Sequence, residues 1–320
     1  MKFTAYFLRF TTPLHLGDYK PDSYESTESF LRSDTITAAI ISTWAKQGHE
    51  NWIGDGNTKF AVSSAFPFYG NTNEEVLFFP KLRLPFNLVD KDSSLSKTIK
   101  KIAWVDKDIF EIILNGEYIS IDIKEKSKGE FLSQQNIPSY FIFKSHSERV
   151  SIPRDPSNDS TPFTMERLVF ENAGLYFLAS GDDLEKIKIA LDLLQHEGIG
   201  TDRSIGNGFF TWSSKEIELN VPTHSEYSAS LGLYCPERKN IKEELDDKAS
   251  YDLIKRGGWI TSFGYQSFEK NSIYMFTEGS VFKKNAGVDG VGNLNLTPKD
   301  ITLDHTIYRS GKTIFIPVKI

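Results

Sequence analysis

The chain has 320 residues, 39% of them hydrophobic and 13% aromatic, which fits about two folded domains and contains no run near the roughly 20 apolar residues of a membrane-spanning helix. Its net charge of −6 excludes a broadly basic nucleic-acid coat, yet allows a concentrated cationic groove, because phosphate contacts act within about a Debye length. A single cysteine, Cys235, excludes an internal disulfide and suits a reducing cytoplasm, and the N-terminal MKFTAYFLRF alternates like a strand, not like a signal peptide.

FTAYFLRF at 3–10 is apolar on both faces and predicts a central strand. LHLGD at 14–18 then turns the chain. Ser33 and Asp34 supply an N-cap for a helix whose inner face is Ile36, Ala39, Ile40, Thr43 and Trp44 and which Gly48 ends. Residues 50–135 are less regular and read as an insertion elaborating the first domain. Within them VLFFP (76–80) and EYISIDI (117–123) predict strands, and 97–114 is helical in parts, with Lys97, Lys100 and Lys101 exposed. From 146 onward HSERVSI and ERLVF flank a tip at 153–163 that carries Pro153, Pro156 and Pro162, the pattern of a projecting hairpin. GLYFLAS is the next strand, reached through Asn172-Ala173-Gly174. Leu184, Ile187, Leu191 and Leu194 keep helical spacing, Asp182 caps the start, and Gly198 is the C′ residue. FFTWSS follows as a strand. The order strand–helix–strand–strand–helix–strand predicts a split βαβ, ferredoxin-like domain. A second domain begins near 222. It has strands around 228–235, a charged helix around 240–255, RGGW at 256–259, strands around 272–283 and 313–320, and a flexible loop at 285–295.

Between the second helix and the last strand of the first domain, residues 198–210 read GIGTDRSIGNGFF. A dinucleotide fingerprint places Gly-x-Gly-x-x-Gly after a strand and before a helix. Here Arg203 stands where the third glycine belongs, and the loop closes a helix. A phosphate loop needs Gly-x-x-x-x-Gly-Lys-Ser/Thr, and the one Gly-Lys-Thr, at 311–313, has Thr306 in place of the first glycine. A helix C-terminus repels anions, so an anion here must be held by loop N–H groups and Arg203. Two readings stand: bare backbone lets a sugar-phosphate chain approach while Arg203 grips it, or the glycines only cap and pack.

LHLG, SDT at 33–35, RVSIPR at 149–154 and the glycine loop together resemble the RAMP superfamily of CRISPR effector proteins. More narrowly, they resemble the subunit of type III-A Csm complexes that caps the 5′ end of the guide RNA; RGGW and GKTIFIPV at 311–318 fit it too. The resemblance covers nearly the full chain. It implies an α+β fold of two ferredoxin-like (RRM-like) domains, 1–221 and 222–320, with a protruding hairpin thumb at about 145–166. It implies binding of the repeat-derived 5′ handle of CRISPR RNA in antiviral defence, and docking on a large polymerase-like subunit and a backbone RAMP subunit, with no cofactor and no membrane. The RNA-binding residues it points to are His15, Gly17, Ser33, Thr35, Arg149, Arg154, Gly198, Gly200, Arg203, Ser204, Gly206, Gly208, Gly257, Gly258 and Arg309. Thr201 and Asp202 depart from the superfamily loop, which often carries more glycine or a second basic residue there.

Single-stranded RNA is held by phosphate contacts, 2′-OH bonds and stacking. Tyr140 or Phe163 is either a stacking face or core, and Lys283, Lys284, Arg309 and Lys312 either extend the groove or are solvated charge. His15 follows strand one, where processing relatives keep an acid–base histidine; it either acts so or bonds nearby backbone. The other histidines lack metal-site spacing. The expectation is a non-catalytic RNA-binding subunit. A RAMP endoribonuclease that processes precursor guide RNA and a protein-only scaffold are the alternatives.

Overall fold

The computed structural model describes residues 1–17, 24–89, 93–153, 155, 159–262, 264–265 and 268–320. Strand β1 (Lys2–Phe10) is buried on both faces, as its unbroken apolar pattern requires, and lies between two later strands. Helix α1 (Ser33–Lys46) follows. Then come three short strands, β2 (Phe60–Val62), β3 (Phe66–Tyr69) and β4 (Val76–Pro80), helix α2 (Ser96–Lys101), β5 (Trp104–Asp106), and the helices α3 (Lys107–Leu114) and α4 (Ile123–Lys126). Strands β6 (Ser127–Lys128) and β7 (Phe131–Leu132) precede a long hairpin of β8 (Ile142–Ser151) and β9 (Thr161–Phe170). Strand β10 (Ala173–Gly181), helix α5 (Leu184–Glu197) and β11 (Phe210–Glu218) complete the first part. The main sheet runs β11-β1-β10-β3-β4-β5-β7-β6, and β2 pairs with the far end of β10. The stretch 50–135 is therefore no separate lobe: β2 to β7 extend the same sheet.

The strand period of two sorts the core into two layers. Tyr6 and Leu8 of β1 join Leu175, Phe177 and Ala179 of β10 in a cluster with Ile36, Ile40 and Trp44 of α1 and Ile187, Ala190, Leu191 and Leu194 of α5. Both helices thus cover one face. Phe3, Ala5 and Phe7 point the other way, into a cluster with Tyr176 and Leu178. Buried aromatics keep their polar ends bonded: Trp44 Nε1 donates to Lys186 O at 2.9 Å and Tyr176 Oη to Phe78 O at 2.8 Å.

That second cluster continues into Tyr227, Ala229, Leu231, Val281, Ile314, Ile316 and Val318. The boundary expected at 221/222 falls inside one continuous core. Past it lie β12 (Tyr227–Ser230), α6 (Ile241–Glu244), β13 (Leu253–Arg256), β14 (Ile273–Phe276), β15 (Val281–Lys283), β16 (Gly287–Asp289), β17 (Leu294–Asn295), β18 (Tyr308–Arg309) and β19 (Thr313–Pro317). β15-β12-β19-β16 form a four-stranded antiparallel sheet, and β13-β14 and β17-β18 are two-stranded. Among the described residues no helix is long and apolar enough to cross a membrane.

Several local expectations are corrected. The N-cap of α1 is Arg32, because the Ser33 hydroxyl accepts from Leu233 N at 2.9 Å and Asp34 serves arginines. α5 starts after Asp183, which is left-handed at φ 66°, not after Asp182. EYISIDI forms only a bridge between Leu88 and Ile119, since Asp122 accepts from Lys124 N and Glu125 N and opens α4. The helix expected at 240–255 shrinks to α6, because Asp246 turns the chain by accepting from Lys248 N and Ala249 N. The loop expected at 285–295 holds β16 and β17.

Candidate nucleic-acid interface

The glycine loop is a folded turn whose base is packed and whose tip is open. Gly198 closes α5, donating to Leu194 O at 2.8 Å. Ile199 N donates to Gly208 O, Gly208 N to Pro13 O and Thr201 N to His15 O, all at 2.9 to 3.0 Å. These bonds tie the loop to the segment after β1. A side chain at Gly200 would meet His15 O at 2.5 Å, and one at Gly208 would meet Ile199 O at 2.0 Å. Both glycines are therefore required by close backbone approach. Gly17 lies beside the same turn, with 3.4 Å between an added Cβ and Thr201 Cγ2.

The tip, Arg203–Ile205, is a single 3₁₀ turn between left-handed Asp202 (φ 55°) and Gly206 (φ 90°). Nothing approaches a side chain built on Gly206. Arg203, Ser204 and Ile205 are exposed, and Arg203 forms no ion pair among the described residues.

The hairpin supplies the facing wall. Its register pairs Ser145 with Arg167, Ser147 with Met165 and Arg149 with Phe163, so these residues share one face. Arg167 Nη1 donates to Asn207 Oδ1 at 3.4 Å, and Asn207 Nδ2 donates to Asp202 O at 3.2 Å, which joins hairpin to loop. Arg167 Nε, the Ser147 hydroxyl and Asp202 Oδ2 are buried without hydrogen-bond partners among the described residues. Burial and the neighbouring Arg149 charge lower the Arg167 pKa. Two guanidinium groups thus lie on one face of the hairpin, separated by the Ser147–Met165 pair and with no ion pair among the described residues, an arrangement that an anion relieves. Arg154 lies outside the described residues.

His15 is buried under this turn. Its Nδ1 lies 2.7 Å from the Glu166 carbonyl and so carries a proton, while its ring stacks 6.1 Å from Tyr24. Tyr24 is 37% exposed and its ring lies 5.1 Å from Phe163, which makes this pair an aromatic ledge beside Arg149. Tyr140 is 71% exposed and packs near Phe143 instead.

Ser33, Thr35, Gly257 and Arg309 form a different group. Asp34, 2% exposed, receives Arg256 Nε at 3.0 Å and Nη2 at 3.1 Å, and pairs with Arg309 Nη1. Arg309 Nη2 donates to Gly257 O at 2.8 Å, and Arg256 Nη2 donates to the Thr35 hydroxyl at 3.2 Å. Arg256 also meets Glu28 at 3.3 Å, Glu28 meets Arg32 at 2.7 Å, and Arg32 meets Glu278 at 2.7 Å. Burial pushes the Asp34 carboxyl up, but Arg256 and Arg309 outweigh it and hold it well below the usual carboxylate range. Lys270, packed near Gly258, has its pKa lowered to about 8 by burial and by Arg309. This network joins the two parts of the chain and leaves Arg309 committed inside. Segment 24–28 links it to the hairpin and to the segment after β1, since Thr27 N donates to Glu166 Oε1 and Glu28 N to Leu16 O. Lys284 is likewise internal, bonded to Tyr234 Oη, Glu244 and Asp289, and Lys312 Nζ donates to Thr58 O.

Sequence reasoning missed Arg167 and Tyr24. The signal for Arg167 was the hairpin itself: with Arg149 opposite Phe163, two-residue steps place Arg167 on the arginine face.

Residues 223–318 match the family model of the CRISPR Csm4 C-terminal domain. The chain is 24% identical to the Csm4 protein of Streptococcus thermophilus, covering 100% of both chains. It is 28% identical to that of Methanocaldococcus jannaschii, covering 99% of this chain and 97% of the relative. Among solved structures it superposes on a chain of the Csm3-Csm4 subcomplex of a type III-A CRISPR-Cas interference complex with a TM-score of 0.59, at 21% identity and over 100% of both chains. A chain of a Csm1-Csm4 cassette in complex with pppApA gives 0.60, at 19% identity over 100% of this chain and 99% of that one. The mixed, sheet-rich α+β fold is similar to that of these Csm4-containing structures. Residues 223–318 match the Csm4 C-terminal domain, and over its full length the chain is similar to the Csm4 proteins of CRISPR systems.

Proposed function

We propose that this chain is a non-catalytic RNA-binding subunit of a type III-A CRISPR effector complex. It holds the repeat-derived 5′ handle of the guide RNA between the glycine turn and the β8–β9 hairpin, and bridges a large polymerase-like subunit to the backbone subunits. The solved relatives, described as assembled with Csm1 or with Csm3, support this place in an assembly. The strand order β11-β1-β10-β3, with α1 and α5 on one face, supports a ferredoxin-like first domain, and the ten-residue strands β8 and β9 support the thumb reading. The C-terminal part keeps a four-stranded sheet, with α6 as its one helix among the described residues.

One observation carries the RNA reading: Arg149 and Arg167 share one face of the hairpin, half-buried and with no ion pair among the described residues, and Arg167 bonds Asn207 of the glycine turn whose tip carries the exposed Arg203. Cations in this setting bind phosphates strongly, and the Tyr24–Phe163 ledge offers a stacking surface. Burial of His15 and its bond to the Glu166 carbonyl support a structural role for that ring. The test is binding of handle RNA by the purified subunit. Arg149→Ala and Arg167→Ala should each weaken it about tenfold, and each lost phosphate contact should flatten the salt dependence by about 0.7 in log–log slope. Unchanged affinity in both variants would contradict the reading, and cleavage of repeat RNA abolished by His15→Ala would make the chain an enzyme.

A further inference from the structure

On the other side of the ion network, a second cationic cleft opens between α2, the end of β4 and the turn after β14. Its volume is about 490 Å³. Arg32, Lys81, Arg83, Lys100 and Lys101 line it, against one lining carboxylate, Glu278, which already bonds Arg32 and the Ser64 hydroxyl. In a chain of net charge −6, five cations around one small cleft are a local concentration that folding alone does not require.

Arg32 is held by Glu28 and Glu278, and the other four have few partners. Lys81 Nζ donates to Ile99 O at 2.7 Å, and burial together with Arg83 lowers its pKa. Arg83 reaches Asp252 at 3.4 Å, with both side chains about half exposed. Lys100 and Lys101 are exposed and form no ion pair among the described residues. Thr277, 8% exposed, is part of the wall, and its hydroxyl has no hydrogen-bond partner among the described residues. A buried hydroxyl without a partner is costly unless something fills the space beside it. Phe30 and Trp104, their rings 5.0 Å apart and edge to face, form an apolar floor.

We propose that this cleft is a binding site for phosphoryl groups, separate from the glycine turn. Lysine ammonium groups and one arginine fork supply charge from several directions, and the Thr277 hydroxyl supplies a neutral donor. That set suits the dense negative charge of linked phosphates better than a single carboxylate. The volume matches ligands of nucleotide size. Two sources carry this chemistry, a free nucleotide polyphosphate and the backbone of an RNA strand. The inference does not rest on the handle reading, because none of these residues belongs to the glycine turn or the hairpin.

The experiment uses the purified full chain and three probes: inorganic tripolyphosphate, ADP and a short poly-uridine strand. Binding is followed by calorimetry for wild type, the Lys100→Glu/Lys101→Glu double variant and Thr277→Val. The two lysines are exposed, so the double variant should keep the wild-type melting temperature. At least one probe should bind the wild type with saturation and bind the double variant at least about tenfold more weakly, with a smaller loss for Thr277→Val. If tripolyphosphate and ADP respond, the site takes free nucleotides; if poly-uridine alone responds, it takes a strand. Equal affinity in wild type and double variant for every probe, or no binding of any probe, would overturn the proposal.

Discussion

Arg203 and Arg309 each lie within three residues of a glycine in the sequence, and their surroundings in the fold are opposite. Among the described residues Arg203 stands on an exposed turn without an ion pair, and Arg149 and Arg167 on the hairpin form none either. Arg309 is buried against Asp34 and the Gly257 carbonyl, with Arg256 on the same carboxylate. A cation with a buried partner holds the two parts of the chain together, and a cation without one is left for an anionic ligand. Substitutions should therefore separate stability from binding.

The largest effect belongs to the buried group. Asp34→Asn leaves Arg309 without its counter-charge and Arg256 with Glu28 alone, and should cost about 3–5 kcal/mol in urea denaturation. Loss of less than about 1 kcal/mol would mean that the apolar core alone joins the two parts. The pH dependence has a fixed sign. The folded-state pKa of Asp34 is depressed, so its contribution is complete above the unfolded value near 3.8 and is lost as pH falls below it.

The base and tip of the glycine turn should differ next. Gly208→Ala puts a Cβ 2.0 Å from Ile199 O at φ +76° and should lower stability by about 2–3 kcal/mol. Gly206→Ala meets open space and should cost only about 1 kcal/mol of left-handed strain. Equal costs would mean that the turn is not anchored at its base. Arg203→Ala should leave the melting temperature unchanged while weakening handle RNA binding.

The smallest effect concerns Lys270. With its folded pKa lowered to about 8, the charged form is disfavoured in the fold, and stability rises as pH climbs from about 8 toward 10.5. Lys270→Met should raise the urea midpoint slightly at pH 7, and the gain should shrink above pH 8. A gain that persists to pH 10 would assign the effect to packing.

Much of the scaffold was legible because it follows local pattern. The two-faced apolar run of β1, the helical face of α5 and the proline-marked hairpin tip each write their structure into adjacent residues. What escaped depends on long-range partners. Ser33 and Asp34 look like helix caps, but residues more than 190 positions away claim both side chains, Leu233 the first and Arg256 the second. The charged stretch after 240 has helical composition, yet Asp246 and the pairing of β13 with β14 win. At the candidate site the glycine turn was visible as a motif. Arg167 was hidden in MERLVF, because its meaning comes from strand register rather than from neighbours in the chain.

The central claim is that guide RNA lies across the turn at 201–206 against the arginine face of β8 and β9. Photo-crosslinking of handle RNA in the assembled complex, read out by mass spectrometry of this chain, tests it most directly. The account predicts crosslinked peptides spanning 201–206 and 145–167. Crosslinks confined to other surfaces, with both of those peptides unmodified, would contradict it.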